Sequence, residues 1–439
     1  MLLISYHFPP DPAVGGVRWQ EMARYMAEQG WAVDVIAREF TDVYGIDPTR
    51  LMRLDRGVRI FSVSVREPAL AQIQQVLWTQ LKRWLPARKD EKPDALSQDA
   101  VFSQQGARAM IRSYHARMEF IRGNIWSRAA LRLSSAVGTG LSYRAVISSG
   151  PPHMAHEAGR LAAKRLRAPH IVDMRDPWSL VQRLREEIAS PIWVRKARHY
   201  EERIIARAAA VTMNTQAACD AMRAAYPEHE QKIQVVRNGS DDEPVPAPIH
   251  DSCFRIRFAG SIYMDRDPRP VFKAAHRVIK ALGLTPEQFL IEFIGQANKF
   301  SNTSTSTIAE QEGIGAHVRI SGQLPRHRAM EFLSGATMLL SLPQDSDYAV
   351  PAKIYEYVRF HSWMLVLATS SSATAEVLDG SDADVVDPAD IDAITAVLAT
   401  RYQQYASGIK PQPVGRSGGF QRWIQAERLI ELIEEFSGR

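Results

Sequence analysis

Ala336-Thr337-Met338-Leu339-Leu340-Ser341-Leu342, followed after a short loop by Tyr348-Ala349-Val350-Pro351-Ala352-Lys353-Ile354-Tyr355-Glu356-Tyr357, decides the fold class. The first run is apolar almost throughout, as a strand buried on both faces must be. Pro351 suits the first position of a helix, where its missing N–H costs nothing. A buried strand feeding a helix is half of a βαβ unit, and such units build parallel sheets. The helix start would gather the amides of Ala352 and Lys353, the positive end of the dipole and the Lys353 ammonium at one point, which suits a diphosphate. Glu356, one turn on, is placed to accept hydrogen bonds from sugar hydroxyls beside it. The same segment also fits an ordinary helix start with a surface lysine, so its neighbours must decide.

Outward from that segment the alternation recurs on both sides. Beyond the acidic, proline-rich stretch Ser240-Asp241-Asp242-Glu243-Pro244-Val245-Pro246-Ala247-Pro248, strands are predicted at residues 254–258, 289–294, 318–321, 336–342 and 364–368. Helices are predicted at 269–282, 326–334, 351–360, 373–378 and 390–405. Upstream, strands fall at 2–6, 31–37, 58–63, 145–149, 171–174, 210–213 and 233–236, with helices at 17–29, 152–166, 194–209 and from 216. The pattern implies an α/β protein of two doubly wound, Rossmann-like domains facing a cleft. Its expected parts are a first domain at 1–240 with a basic helical insertion at about 66–140, a linker at 241–252, and a second domain at 253–410. Residues 411–439 should end in an amphipathic helix that packs back on the first domain.

Bulk composition sets limits. A chain of 439 residues is too long for one ordinary core. A hydrophobic fraction of 45% and a charged fraction of 23% are those of a soluble globular protein. Only Cys219 and Cys253 occur, which leaves no disulfide framework or zinc-ligand spacing and fits a reducing compartment. No apolar run approaches the length of a membrane span, and Met-Leu-Leu-Ile-Ser-Tyr reads as a first buried strand rather than a leader. The expected location is cytoplasmic, with peripheral attachment to the inner face of the cell membrane as an option. That option comes from residues 77–132. There Lys82, Arg83, Arg88, Lys89, Arg112, Arg117, Arg122, Arg128 and Arg132 mix with Trp78, Trp84, Phe120, Ile121 and Trp126. Basic residues among tryptophan and aliphatics suit an anionic membrane surface, and a solvated basic face fits equally well. Nucleic acid is not expected, because no binding module accompanies the patch.

Four further motifs lie at predicted strand ends. Gly15-Gly16-Val17-Arg18 follows strand one, where glycines allow a ligand close to the backbone. Ser148-Ser149-Gly150-Pro151-Pro152-His153 follows the strand at 145–149, and Arg175-Asp176-Pro177-Trp178 the strand at 171–174. Charge and an aromatic there suit a sugar, while a structural ion pair and a core tryptophan are the plain alternative. Gly260-Ser261-Ile262-Tyr263-Met264-Asp265-Arg266 opens the second series. Asp265-Arg266-Asp267 and Asp345-Ser346-Asp347 both spell Asp-x-Asp, a metal-nucleotide pattern of another fold. With 49 acidic residues the match is cheap, and no metal is expected.

Together these motifs resemble the retaining glycosyltransferases of family 4, which have the B-type fold. The branch is the one carrying Phe8-Pro9-Pro10, Arg175-Asp176-Pro177-Trp178 and Val350-Pro351-x-Lys353-x-Tyr355-Glu356-Tyr357. The resemblance covers nearly the whole chain except the basic insertion. It implies a nucleoside diphosphate-sugar as donor and co-substrate, no separate cofactor, and a glycan or lipid-linked acceptor. Transfer of a hexosyl group would proceed with retention and without metal, in cell-surface polysaccharide or glycolipid biosynthesis. By position, Gly15, Gly16 and Arg18 would lie under the donor diphosphate and acceptor. Gly260, Ser261, Arg266, Lys353 and Ala352 would hold the donor phosphates, with Arg266 and Lys353 stabilising the departing nucleotide. Arg175 and Asp176 would act at the transferred sugar, with His153 as the nearby imidazole. Glu356 would bond the ribose. The first glutamate of the family's pair is replaced by Tyr348, with Asp347 adjacent. An epimerase of the same fold and a non-catalytic sugar-nucleotide-binding subunit are therefore the alternatives.

Overall fold

A computed structural model describes residues 1–11, 13–40, 48–54, 56–65, 95–97, 101, 106–181, 183–241, 243–249, 252–263, 266–343, 347–415 and 419–437. About half of the expected insertion (66–94, 98–100 and 102–105) lies outside the described residues, as do Asp265 and Asp345. The chain divides into two compact units. One contains the described residues up to Gly239 together with those from Arg422 onward; the other is Ser240–Gln421.

The first unit is built on strands β1 (Leu2–Ser5), β2 (Val33–Arg38), β3 (Val58–Val63), β4 (Val146–Ser149), β5 (His170–Arg175), β6 (Ala210–Met213) and β7 (Ile233–Val235). They lie in the order β3-β2-β1-β4-β5-β6-β7, every pair parallel. Leu2, Leu3, Ile4, Val146, Ile147, Ile171 and Val172 are all fully buried, because helices cover both faces. On one face α1 (Val14–Glu28) brings Trp19, Met22, Ala23 and Met26 against Leu3, Val33 and Val35. On the other, α2 (Ala107–Val137) and α3 (Met154–Leu166) bring Trp126, Ala130, Ala155 and Ala158 against Leu2, Ile4 and Ile36. The terminal helix, Arg422–Ser437, joins the α1 face through Ala426, Leu429 and Ile433. Tyr25 donates to Glu427 at 2.7 Å across that contact.

The second unit repeats the plan with β8 (Phe254–Ala259), β9 (Phe289–Ile294), β10 (Val318–Ser321), β11 (Met338–Ser341), β12 (Trp363–Leu367) and β13 (Asp384–Val386). Their order is β10-β9-β8-β11-β12-β13, again all parallel. The two doubly wound α/β sheets expected from the sequence are thus present. The edge strand β13 was not expected, since three residues among aspartates and Ser381 carry little strand signal. One boundary also needs correction. The helix after β11 is Ala352–Tyr357, and Pro351 is its cap with an extended ψ of 134°, so proline precedes the helix rather than opening it. Six residues sum few peptide dipoles, so the Lys353 charge outweighs the helix end as an attraction for an anion. No helix among the described residues is long and apolar enough to cross a membrane.

In each sheet the winding direction reverses once, between β1 and β4 and between β8 and β11. Loops leaving the carboxyl ends of strands at such reversals are where doubly wound sheets place ligands. The motifs at Gly15, Gly150, Gly260 and Lys353 sit on those loops or the helix starts they lead into, and Arg175-Asp176-Pro177-Trp178 leaves the adjacent strand β5.

Candidate functional site

In the first unit Ser5 lies opposite Ser149, so the loops leaving β1 and β4 emerge as neighbours. Asp11, 2% exposed, fixes the first loop. Its carboxylate accepts from His7 Nδ1 (2.7 Å), the Ala13 amide (3.0 Å) and Arg38 Nε (3.1 Å). Burial alone would raise the Asp11 pKa, but the His7 bond and the Ala13 amide hold it below the usual carboxylate value.

Arg175 joins the two loops. It ends β5 at a register shift, with φ at +65°, a left-handed backbone that a non-glycine residue adopts only at a cost. Its guanidinium donates to the carbonyls of Gly150, Pro151 (3.2 Å) and Gly15 (3.4 Å). A methyl group built on Gly15 would lie 3.3 Å from that guanidinium, and one on Gly16 3.3 Å from the Phe8 backbone. These glycines thus serve a close approach of protein to protein. Among the described residues no ion pair joins Arg175 to Asp176, so the paired reading of those two is corrected. Carbonyl oxygens hold the guanidinium in place, and burial lowers its pKa. Asp176 is half-buried, and burial raises its carboxyl pKa against the opposing Arg175 charge.

Arg18 is not where a ligand-binding residue should be. It is 3% exposed and donates twice to Asp173 (3.1 and 3.3 Å), and also to the Val236 and Arg237 carbonyls and Asn238 Oδ1. Asp173 also accepts from Trp19 Nε1 (2.7 Å), Ser149 Oγ (3.0 Å) and Thr212 Oγ1 (3.1 Å). Burial alone would raise the Asp173 pKa, but the Arg18 and Arg175 charges hold it low. Its assignment to substrate is corrected: Arg18 ties α1 to β5 and to the chain after β7 from inside.

His153 stacks on Trp178 with ring centroids 5.2 Å apart, and Trp178 stacks on Phe120 of α2 at 6.0 Å. The Trp178 and Ser179 amides donate to buried Glu201, at 2.7 and 2.9 Å, which fixes the Asp176-Pro177-Trp178 turn. Behind it the Ser148 hydroxyl lies between His156 Nδ1 (2.9 Å) and His170 Nε2 (2.8 Å). Burial keeps these imidazoles neutral. It lowers His170 and His153 to about 3 and puts His156 well below its ordinary value. Gly150 is required here, because a methyl on it would lie 2.5 Å from His156 Nε2 and 2.7 Å from His153 Nδ1.

In the second unit Gly260 directly follows β8 at φ +140°, open to glycine but strained for any side chain. A methyl there would meet Lys353 Nζ at 3.0 Å. Lys353 in turn lies over the Phe258 ring, its Nζ 3.7 Å from the centroid. The Tyr357 hydroxyl, one helical turn on, accepts from the Ala259 amide at 2.8 Å and fixes the strand end beneath. The structure therefore brings Gly260 and Lys353 together, though they are far apart in sequence. Ser261 is half-buried in the loop that follows, and Arg266 lies over its own turn's Tyr263 at 4.2 Å. Arg269 pairs with Asp267 at 2.9 Å. Glu356 pairs with Arg326 at 2.9 Å, and Arg326 also reaches Glu243 at 3.2 Å. The Asp347 carbonyl accepts from the Ala373 amide at 2.9 Å, and Tyr348 is half-buried beside it.

Gly295 was not among the expected site residues. It directly follows β9 at φ +103°, and a methyl on it would lie 2.5 Å from the Gly260 carbonyl oxygen. A glycine directly after the predicted strand 289–294 was the available signal. Glu201 was missed as well, because nothing in a helical Tyr-Glu-Glu-Arg says which glutamate turns inward.

No protein-family model matches the sequence, and no curated protein matches it. Solved structures do match along its length. Anabaena HepE, solved in complex with UDP-glucose, matches over 99% of this chain and 100% of its own, with a TM-score of 0.60 at 11% identity. A lipopolysaccharide outer core galactosyltransferase, WaaB, matches over 99% of each chain at 0.56 and 11%. The trehalose 6-phosphate synthase of Burkholderia multivorans matches over 100% of this chain and 96% of its own at 0.59 and 11%. At such identities the likeness is one of fold. The chain has the two-domain α/β fold of the B-type glycosyltransferases.

Proposed function

We propose that this protein is a nucleotide-sugar-dependent glycosyltransferase of the family 4 type. It would move a hexosyl group with retention, and without a metal, to a glycan or lipid-linked acceptor in cell-surface polysaccharide or glycolipid synthesis. The observation that carries the reading is the meeting of Gly260 and Lys353 at the second unit's winding reversal. A bare backbone and an ammonium converge there, which is what a diphosphate requires. The UDP-glucose in one HepE structure, and the UDP and glucose in another, support the same donor class.

In this reading the second unit binds the donor. Lys353 and Arg266 meet the diphosphate and Glu356, released from Arg326, bonds the ribose. The bond from the anomeric carbon to the diphosphate oxygen breaks with its electron pair passing to the diphosphate. An acceptor hydroxyl oxygen bonds the anomeric carbon on the same face, and its proton leaves on the departing diphosphate. Charge builds on the diphosphate as the bond breaks, so a fixed cation there favours the transition state over the ground state. In the first unit Arg175, Asp176 and His153 are the residues proposed for the acceptor.

A panel of nucleotides and nucleotide-sugars screened by thermal shift tests donor binding, because a ligand that binds only the folded chain raises its melting point. Turnover of the hit, with and without membrane extract, tests transfer. Binding with neither transfer nor hydrolysis would leave the non-catalytic subunit, which the Tyr348 substitution favours.

A further inference from the structure

Helix α2 is apolar on two sides. Its inner side supplies Ala116, Met118, Phe120, Trp126 and Ala130 to buried positions, as packing on a sheet demands. Its outer side shows Met110 at 74% exposure, Ile111 at 49%, Ile121 at 46% and Tyr114 at 37%. Single exposed apolar residues need no explanation, but these are not scattered. Met110, Tyr114, Arg117, Ile121, Arg128 and Arg132 recur at helical spacing, so they form one exposed line along the axis. A 31-residue helix is about 45 Å long, enough to lie along a surface.

Its charge completes the pattern. The helix holds six arginines and one glutamate, an excess as large as the +5 of the entire chain. The one glutamate is occupied on another side: Glu119 accepts from Trp193 Nε1 at 3.1 Å and pairs with Arg185 at 3.3 Å. Among the residues of α2 no acid interrupts the outer line. Cations and apolar groups interleaved on one exposed line match a surface that offers negative charge above hydrocarbon.

We infer that the outer line of α2 docks on an anionic lipid bilayer. Met110, Tyr114 and Ile121 enter the headgroup boundary, and Arg117, Arg128 and Arg132 meet headgroup phosphates. The inference deepens the transferase reading and rests on it for its purpose, delivery of a lipid-linked acceptor. The inner side of the same helix reaches the site, since Phe120 stacks on Trp178 beside Asp176. Lipid docking would therefore place the bilayer one helix diameter from the turn assigned to the sugar.

The test is flotation of the full chain with phosphatidylcholine vesicles, with or without phosphatidylglycerol. The chain should float only with the anionic vesicles, and less as salt rises. The triple variant Arg117→Glu/Arg128→Glu/Arg132→Glu should bind them at least about a hundredfold more weakly. Met110→Ser/Ile121→Ser should weaken binding about tenfold. Equal flotation with neutral vesicles, or a triple variant that floats like the parent, overturns the inference. So does a concentration-dependent dimer, or duplex DNA binding, that the triple variant abolishes in place of flotation. Thermal shift by nucleotide-sugars on the same samples keeps the two readings apart. A shift without flotation ends the docking inference alone, and flotation without any shift ends the transferase reading alone.

Discussion

The two winding reversals are built from the same parts and hold their cations differently. Beside the first, on β5, a carboxylate takes five hydrogen bonds: Asp173 absorbs Arg18, Trp19, Ser149 and Thr212 in the interior. At the second, cations lie on rings, Lys353 over Phe258 and Arg266 over Tyr263. A carboxylate positions a cation by charge and hydrogen bonds; a ring positions it by its quadrupole. The first arrangement is buried scaffold; the second stands on the loops where doubly wound sheets place ligands. Arg175 is the first unit's counterpart to the second arrangement, with carbonyl oxygens in place of rings.

The largest effect should follow from breaking the scaffold. Asp173→Ala leaves Arg18 buried without its counter-charge and should destabilise the first unit by about 3–5 kcal/mol, read from its unfolding midpoint. A loss below about 1 kcal/mol would show that the carboxylate is not the anchor.

Acid should act next, and on the same unit. Near neutral pH His156 and His170 are uncharged whether folded or not. Below the ordinary value of 6.5 the unfolded chain takes up protons that buried His170 refuses until about 3. Stability is therefore complete above that ordinary value and falls steadily beneath it. Urea midpoints measured from neutral pH down to about 4 should show the decline, and His156→Gln/His170→Gln should flatten it. An equally steep profile in the double variant would move the cause elsewhere.

Lys353→Ala should do the reverse of Asp173→Ala. Stability should change by less than about 1 kcal/mol, the worth of its contact with Phe258. Affinity for a nucleoside diphosphate should fall by about 1.5–3 kcal/mol, or roughly tenfold to a hundredfold, by calorimetry. Unchanged affinity would remove Lys353 from the phosphate site and end the contrast between the two reversals. Glu356→Gln should be smallest, with stability altered by less than about 0.5 kcal/mol because its pair with Arg326 is solvent-accessible. Its effect should appear as preference for ribose over deoxyribose nucleotides, and an unaltered preference would count against the ribose role.

What could be read from the sequence follows from where the information lies. The parallel strands were legible because burial on two faces forces continuous apolar runs such as Leu2–Ser5 and Met338–Ser341. Gly260 and Lys353 were legible because strand-end loops have a fixed meaning in such sheets. Arg18 was misread because its direction depends on Asp173, which is 155 positions away, and no local pattern reports that. Gly295 escaped because its need arises from the Gly260 carbonyl on a neighbouring strand. The pairing of Arg175 with Asp176 failed because a left-handed residue turns its side chain away from the next one's path.

That left-handed residue has a bearing on how the protein will respond to selection. At position 175 a glycine would relax the backbone, and an asparagine nearly so. Either would discard the guanidinium that spans the Gly15 and Gly150 loops. A library sorted only for heat resistance should therefore enrich glycine or asparagine at 175, while one sorted for product should keep arginine. The position sets durability and chemistry against each other, so its behaviour under the two sorts reports which one the protein has been shaped to keep.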